Sequence, residues 1–413
     1  MPETSKDAKS PAWAPAAPRA RTSGVAGLLA LALAATGPVK AATFQSLYSF
    51  VGGADGAAPN GQLAADKSGM LYGTTDTGGA GGGGTVFRFD PASATLTTLY
   101  SFTTSGAKGS GPASGVLVDG KGMIYGSTES GGTGTCSNGC GTVFKLNPST
   151  GTLTTLVDFQ GGANGQQPHG LLLYGGQLYG TTNYGGYIPF AGASGYGTVF
   201  TVDPKTKAFT SLHAFNEPGV NDGVGPMAAL VPGPDGRLYG VASSAGPNGS
   251  GTVFAIDTLT AAVSVVHAFD YHVDGASPTG KLLVRKGQLL GTTRAGGPTA
   301  AGDGVVFSVD PITGVLTNLY SFAGGGDGLN TMAGVVDGPN GRVYGVTSQG
   351  GGSGAGTIYS VKPTSHAHAV LHDFSIGDGA EPSGEMLLQA STKFYGVTSG
   401  GGSGHGTIYD LVP

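Results

Sequence analysis

The sequence predicts an all-β fold, a seven-bladed β-propeller of four-stranded antiparallel blades closed by the N-terminal strand Thr43 to Phe50 completing the last blade. Three observations predict it. A unit of Leu-Tyr-Gly, a glycine-rich stretch, Gly-Thr-Val-Phe, a turn and Leu-x-x-Phe recurs at about 50 to 60 residues, the period of propellers and related repeat folds. Each unit alternates like a pair of β-hairpins, with no helical period. The last copy stops at Pro413 one strand short, and the missing strand stands near the N-terminus.

Residues 1 to 41 precede the repeats. Lys6, Lys9, Arg19 and Arg21 form a basic region, Gly24 to Ala35 an apolar stretch short for a bilayer span, and Val39-Lys40-Ala41 a small-residue cleavage pattern. The expectation is a secretory signal peptide that delivers residues 42 to 413 to the periplasm or beyond, with no membrane span left. A retained membrane anchor is the competing reading.

The repeats are anchored first by the Tyr-Gly glycines Gly73, Gly126, Gly180, Gly240, Gly291, Gly345 and Gly396, with Leu290 replacing tyrosine in the fifth copy. The second anchor begins at Gly84, Gly141, Gly197, Gly251, Gly304, Gly356 and Gly406. From each of the first six to the phenylalanine ending the next strand (Phe102, Phe159, Phe215, Phe269, Phe322, Phe374) the distance is 18 residues, so this segment tolerates no insertion. It reads as a hairpin. Asp90-Pro91, Asn147-Pro148, Asp203-Pro204 and Asp310-Pro311 start its turns, the Asp or Asn accepting backbone hydrogen bonds and the proline presetting φ. A second hairpin runs through Leu63 to Ala65, a turn at Asp66 and Gly69, and Met70 to Thr74. Completing the last blade with the first strand leaves no open sheet edge.

Glycine makes up 80 of 413 residues, which by itself suggests low complexity. The regular spacing of apolar strands outweighs that. Two residues past the D-G-x-x-P proline position every copy has a small residue (Gly61, Ser114, Gly170, Ala228, Gly280, Ala333, Gly384), expected to crowd the ring axis. The aspartates of that motif, Asp55, Asp222, Asp274, Asp327 and Asp378, read as turn formers. His213, His267 and His372 share one repeat position with Tyr48, Tyr100 and Tyr320 and read as blade-packing residues.

Cys136 and Cys140 lie four apart in a glycine-rich loop, which suits a disulfide in an oxidising compartment; two thiols without nearby histidines make a poor metal set. The formal net charge is −5, only 11% of residues are charged, and no Lys/Arg cluster lies in the ring, so a nucleic-acid surface is disfavoured. No cofactor and no metal are expected, since neither a calcium loop nor a metalloprotease His pair is present.

Loop-length variation points to the working face. The stretch between the two glycine anchors ranges from ten residues (Gly396 to Gly406) to seventeen (Gly180 to Gly197). In a four-stranded blade this connection and the one between blades emerge on the same face, where variable loops on a rigid frame carry function. The longest insertion brings Tyr184, Tyr187 and Phe190, able to stack on sugar rings or a partner peptide, or to fold into a local mini-core. His169, His272 and His405 break the repeat on the same face, near Arg294, Asp303, Glu129 and Lys281. Ligand contacts are assigned to Tyr184, Tyr187, Phe190, Arg294 and His405. His169, His272 and Asp303 are the catalytic candidates, because a His or carboxylate with an Arg serves proton abstraction or glycosidic cleavage. Scattered solvated side chains are the alternative.

At these motifs, L-Y-G-T-T, G-T-V-F and L-x-x-F, the chain resembles the GloVer-type tandem-repeat proteins of bacteria over Thr43 to Pro413. The resemblance implies propeller-like blades and export from the cell, and it supplies no reaction. Members that carry a C-terminal sorting tail differ from this chain, which ends at the closing strand. The resulting expectation is a secreted binding or scaffolding module for an extracellular glycan or protein. The alternative is an extracellular carbohydrate-active enzyme, a polysaccharide lyase or hydrolase, with its site on the variable face; the fold alone does not choose.

Overall fold

The computed structural model describes residues 42–112, 114–190 and 193–413; the signal-peptide expectation lies outside them. Seven antiparallel sheets follow one another along the chain, and among the described residues the only helical pieces are three short 3-10 turns. Blade 1 consists of Ala57–Ala65, Leu71–Thr77, Gly82–Asp90 and Thr95–Thr103, paired in that order. Blades 2 to 6 repeat it. In blade 7 the innermost strand is split into Ala380–Pro382 and Leu387–Gln389, followed by Lys393–Gly400 and Thr407–Val412. Its outer strand is the N-terminal Thr43–Ser49, paired with the last strand from Thr43 opposite Val412 to Ser49 opposite Thr407. The ring is closed as the repeat count requires.

The hydrophobic core is divided among the blade boundaries. One cluster joins Leu63, Leu71 and Phe87 of blade 1 to Tyr395, Val397 and Ile408 of blade 7, and the next joins Tyr72 and Val86 of blade 1 to Val116 and Phe144 of blade 2. The repeat motifs meet in these clusters. A Cβ on Gly73 would come within 2.5 Å of the Phe87 ring and 2.7 Å of Leu63, so the Tyr-Gly glycine makes room for the two apolar residues of its own blade.

A second glycine contact crosses the boundary. Gly84 has φ +89°, and a Cβ there would meet the Pro112 ring of the next blade at 2.8 Å. The same glycine-to-proline contact joins Gly406 of blade 7 to Pro59 of blade 1, sealing the ring. Blade 6 has Thr331 at the proline position, and its hydroxyl instead donates to the Thr293 carbonyl at 2.7 Å.

The outer hairpin owes its constant length to a β-bulge. The register slips between Val86 and Phe87 opposite Tyr100 and Thr98, leaving Leu99 unpaired, and slips at the matching place in the other blades. The leucine of Leu-x-x-Phe is the bulged residue, and an insertion would displace it.

The recurrent aspartate and the Tyr/His position form one unit across the boundary. Asp55 Oδ2 accepts from the Tyr48 hydroxyl at 3.0 Å and from Val51 N at 2.9 Å. Asp274 bonds His267 Nε2 at 2.7 Å and Asp270 N at 2.7 Å. Asp222 with His213, Asp327 with Tyr320 and Asp378 with His372 repeat this. Where the aspartate is Lys108, the ammonium stands 6.0 Å from the centre of the Tyr100 ring instead. Both residue types are structural here.

Candidate functional site

One pocket of about 370 Å³ takes lining residues from every blade, so it lies on the ring axis. Its size suits a small ligand. Its floor is formed where the small residues let innermost strands touch through their backbones: a Cβ on Gly61 would fall 2.1 Å from Gly115 N, and one on Gly280 2.3 Å from Gly334 N. Glu385 of blade 7 spans this level, its Oε1 accepting from Lys281 N of blade 5 at 2.9 Å and Gly334 N of blade 6 at 3.1 Å.

The mouth takes Glu129 and Arg294 from one repeat position, the third residue after the Tyr-Gly glycine, which reads Asp76, Glu129, Asn183, Ser243, Arg294, Ser348 and Ser399 around the ring. In six of the seven copies the preceding residue is a threonine that holds this residue in place, Ala242 being the exception. Thr128 Oγ1 donates to the Ser130 carbonyl at 3.0 Å and accepts from Thr142 N at 3.1 Å, while Glu129 N donates to the Gly111 carbonyl at 3.0 Å. Thr293 brackets Arg294 in the same way through Ala295 and Val305, and Arg294 N donates to the Ser277 carbonyl. Chemistry varies here on a constant frame.

His169, from the innermost strand Gln166–Tyr174, lies beside Glu129, Nδ1 to Oε1 3.6 Å, longer than a hydrogen bond. Its side chain is 9% exposed and its Nε2 is buried with no partner among the described residues. Burial pushes the His169 imidazolium down to about 4, so the ring is neutral at pH 7. Burial, with the Asp76 carboxylate nearby adding to it, lifts Glu129 to about 7. Asp76 is raised by burial. In a seven-membered ring blade 5 faces blades 1 and 2 across the axis. There, exposed Arg294 donates Nε to Asn330 Oδ1 at 2.7 Å, and its terminal nitrogens have no partner among the described residues.

Of the residues singled out by sequence, the axial pocket gathers His169, Arg294, Glu129 and Lys281. The others lie apart from it. His272 is exposed beside Tyr271, Asp303 packs over Gly324, and His405 covers Gly52 at the blade 7 to blade 1 junction. The insertion aromatics do not converge: Tyr187 leans on half-buried Tyr196 with ring centres 6.2 Å apart, Phe190 is 70% exposed, and Tyr184 lines a separate cleft with Gln166 and Cys136. Cys136 and Cys140 are disulfide-bonded and staple the other wall of that cleft. Asp76 and Glu385 were not singled out by sequence; aligning the repeats at the third residue after Tyr-Gly is the signal that finds Asp76. Among the described residues no cluster of three metal-ligating side chains occurs, and no helix is long and apolar enough to cross a membrane.

The architecture defines the class, a seven-bladed propeller with an axial pocket on its loop face. Within that class the chain belongs to the Gloeobacter/Verrucomicrobia repeat family, whose model matches residues 36–217, 187–341 and 284–413. No curated protein matches the sequence. Among solved structures it is similar to the extracellular domain of a hybrid two-component system protein from B. thetaiotaomicron (TM-score 0.58, 9% identity), over 88% of this chain and 39% of that longer one. It is also similar to an oligogalacturonate lyase in complex with manganese (TM-score 0.53, 12% identity), over 90% of this chain and 96% of that one. At such identities the likeness is one of fold.

Proposed function

We propose that the chain is an extracellular ligand-binding module whose site is the axial pocket and whose ligand is a glycan. The observation that carries this is the convergence of all seven blades on one small cavity in which His169 keeps a buried, unpartnered nitrogen. A buried polar atom without a partner is costly, and a ligand hydroxyl would satisfy it. A thermal-shift screen of the purified chain against oligosaccharides tests the reading, since a ligand of the native state raises the midpoint. Thr279 also lines the pocket, and Thr279→Trp, which puts an indole into it, is expected to abolish the shift, and replacing Tyr184, Tyr187 and Phe190 together by Ala to leave it unchanged. The reverse pattern would move the site to the blade 3 insertion.

A second reading, a carbohydrate-active lyase or hydrolase, is favoured by Glu129, whose carboxyl changes protonation near neutral pH beside a neutral imidazole. Incubation with any glycan that gives a shift, followed by assay for new reducing or unsaturated ends, separates the two. Products lost in Glu129→Gln would establish the enzyme, and an unchanged glycan would leave a binding module.

A further inference from the structure

We propose that the axial pocket selects a sugar bearing a carboxylate, a uronate residue, with the carboxylate on the Arg294 side and the hydroxyls toward blades 7, 1 and 2. This rests on the reading of the pocket as a glycan site.

The distribution of charge around the axis carries it. At the mouth position one residue in seven is a cation, Arg294. At the level below, the third residue past the D-G-x-x-P proline position, the sole cation is Lys281. Both belong to blade 5 and both line the pocket. Neither has a carboxylate partner among the described residues, whereas Arg237 and Arg285 elsewhere are paired with Asp235 and Asp337. Asn330 fixes Arg294 through Nε and leaves the fork of terminal nitrogens for a ligand, the geometry that receives a carboxylate through two parallel hydrogen bonds.

The facing wall suits hydroxyls. Asn60, Glu129 and Ser383 line it from blades 1, 2 and 7, and His169, whose Nε2 is buried with no partner among the described residues, lines it from blade 3. Burial and the nearby Asp76 keep the Glu129 carboxyl partly protonated near neutral pH, so it can donate to or accept from a hydroxyl and repels an anion less than two full carboxylates would. Glu385, the remaining acid of the lining, is turned to the backbone N–H groups of Lys281 and Gly334. Met227 and Met332, on the blades flanking blade 5, supply apolar walls for the C–H face of a sugar ring. A pocket of this size holds a terminal sugar or a short stretch of chain.

The experiment measures binding of galacturonate and glucuronate oligosaccharides, their neutral counterparts and chitosan oligosaccharides by titration calorimetry to the full chain. It compares the wild type with Arg294→Ala, Arg294→Lys, Lys281→Ala and Thr279→Trp. The expected result is that a uronate binds at least about tenfold more tightly than its neutral counterpart, the worth of charge-assisted hydrogen bonds. Arg294→Ala should remove that preference, and Arg294→Lys should restore only part of it. Equal affinity for uronate and neutral sugar, preference for the cationic chitosan sugar, or full uronate affinity in both the Arg294→Ala and Lys281→Ala variants overturns the carboxylate proposal and leaves the pocket standing. Uronate binding that survives Thr279→Trp overturns the pocket itself, and binding of none of the sugars overturns both.

Discussion

Tyr359 and Tyr409 occupy the position that Phe87, Phe144, Phe200, Phe254 and Phe307 hold in blades 1 to 5, and both hydroxyls are buried without a partner among the described residues. Burial raises both phenols. Each hydroxyl costs its desolvation for no hydrogen bond, so Tyr359→Phe and Tyr409→Phe are expected to stabilise by about 1 kcal/mol apiece, read as a higher calorimetric midpoint. A lower midpoint would mean the hydroxyls have a bonding partner, such as ordered water. At the mouth, Glu129 and His169 titrate in opposite senses, with Asp76 beside them and Arg294 and Lys281 on the facing wall. With Glu129 raised to about 7, the folded state holds a proton that the unfolded chain loses from about pH 4.5, so its contribution is full in acid and lost as pH rises through 7. With His169 lowered to about 4, its contribution is full above its ordinary value and lost as pH falls through 4. Glu129→Gln removes the first alone. Because the Glu129 side chain is 33% exposed, the expected gain at pH 8 is discounted to about 1–2 kcal/mol, vanishing at pH 4.5. Equal midpoint changes at both pH values would refute this assignment.

At the scale of elements, the outer strand of one blade is held to the first loop of the next by an aspartate bonded to a Tyr or His and to a backbone N–H. Asp274→Ala is expected to cost about 1–2 kcal/mol, since it removes the partner of the half-buried His267 Nε2 and of the Asp270 amide together. A double-mutant cycle with His267→Phe should return a coupling of about 1 kcal/mol or more, and additivity would show that the contact contributes little. The sequence had separated these residues into turn formers and packing residues, because pairs at variable distances of six to nine residues (His372 with Asp378, His213 with Asp222) are not visible as a motif. The bulge at Leu99 was equally hidden, since register is a relation between strands. The strands, the outer hairpin and the small axial residues were legible because packing on both faces of every blade forces the same residue types into each copy. The candidate site was half legible. Glu129, His169, Lys281 and Arg294 stood out as departures from the repeat, but their meeting on the axis needed the ring. The insertion aromatics, conspicuous in composition, scatter because Tyr187 is taken up by Tyr196.

At the scale of the molecule, stability depends on the strand Thr43–Ser49. Phe44 stacks on His372 with ring centres 3.6 Å apart and also packs against Phe374 and Tyr409, covering the core of the last blade. Removal of residues 1 to 50 would bare the edge of Thr407–Val412, an open template for other strands. The expected outcome is loss of the monomer peak in size-exclusion chromatography, and its recovery when a peptide of residues 42 to 51 is added in trans. A monodisperse truncated protein with an unchanged midpoint would show that the ring closes without this strand. The pairing of Thr43 with Val412 also corresponds to that of Thr95 with Asp90 in blade 1, where the chain passes through the tight turn. The break in the circle therefore falls on the back of the ring, away from the mouth bearing Glu129 and Arg294. A surface, a bead or a fused domain joined through residues next to Thr43 or Val412 would grip the disc from behind. Seven loops and the cavity between them would then face whatever drifts past.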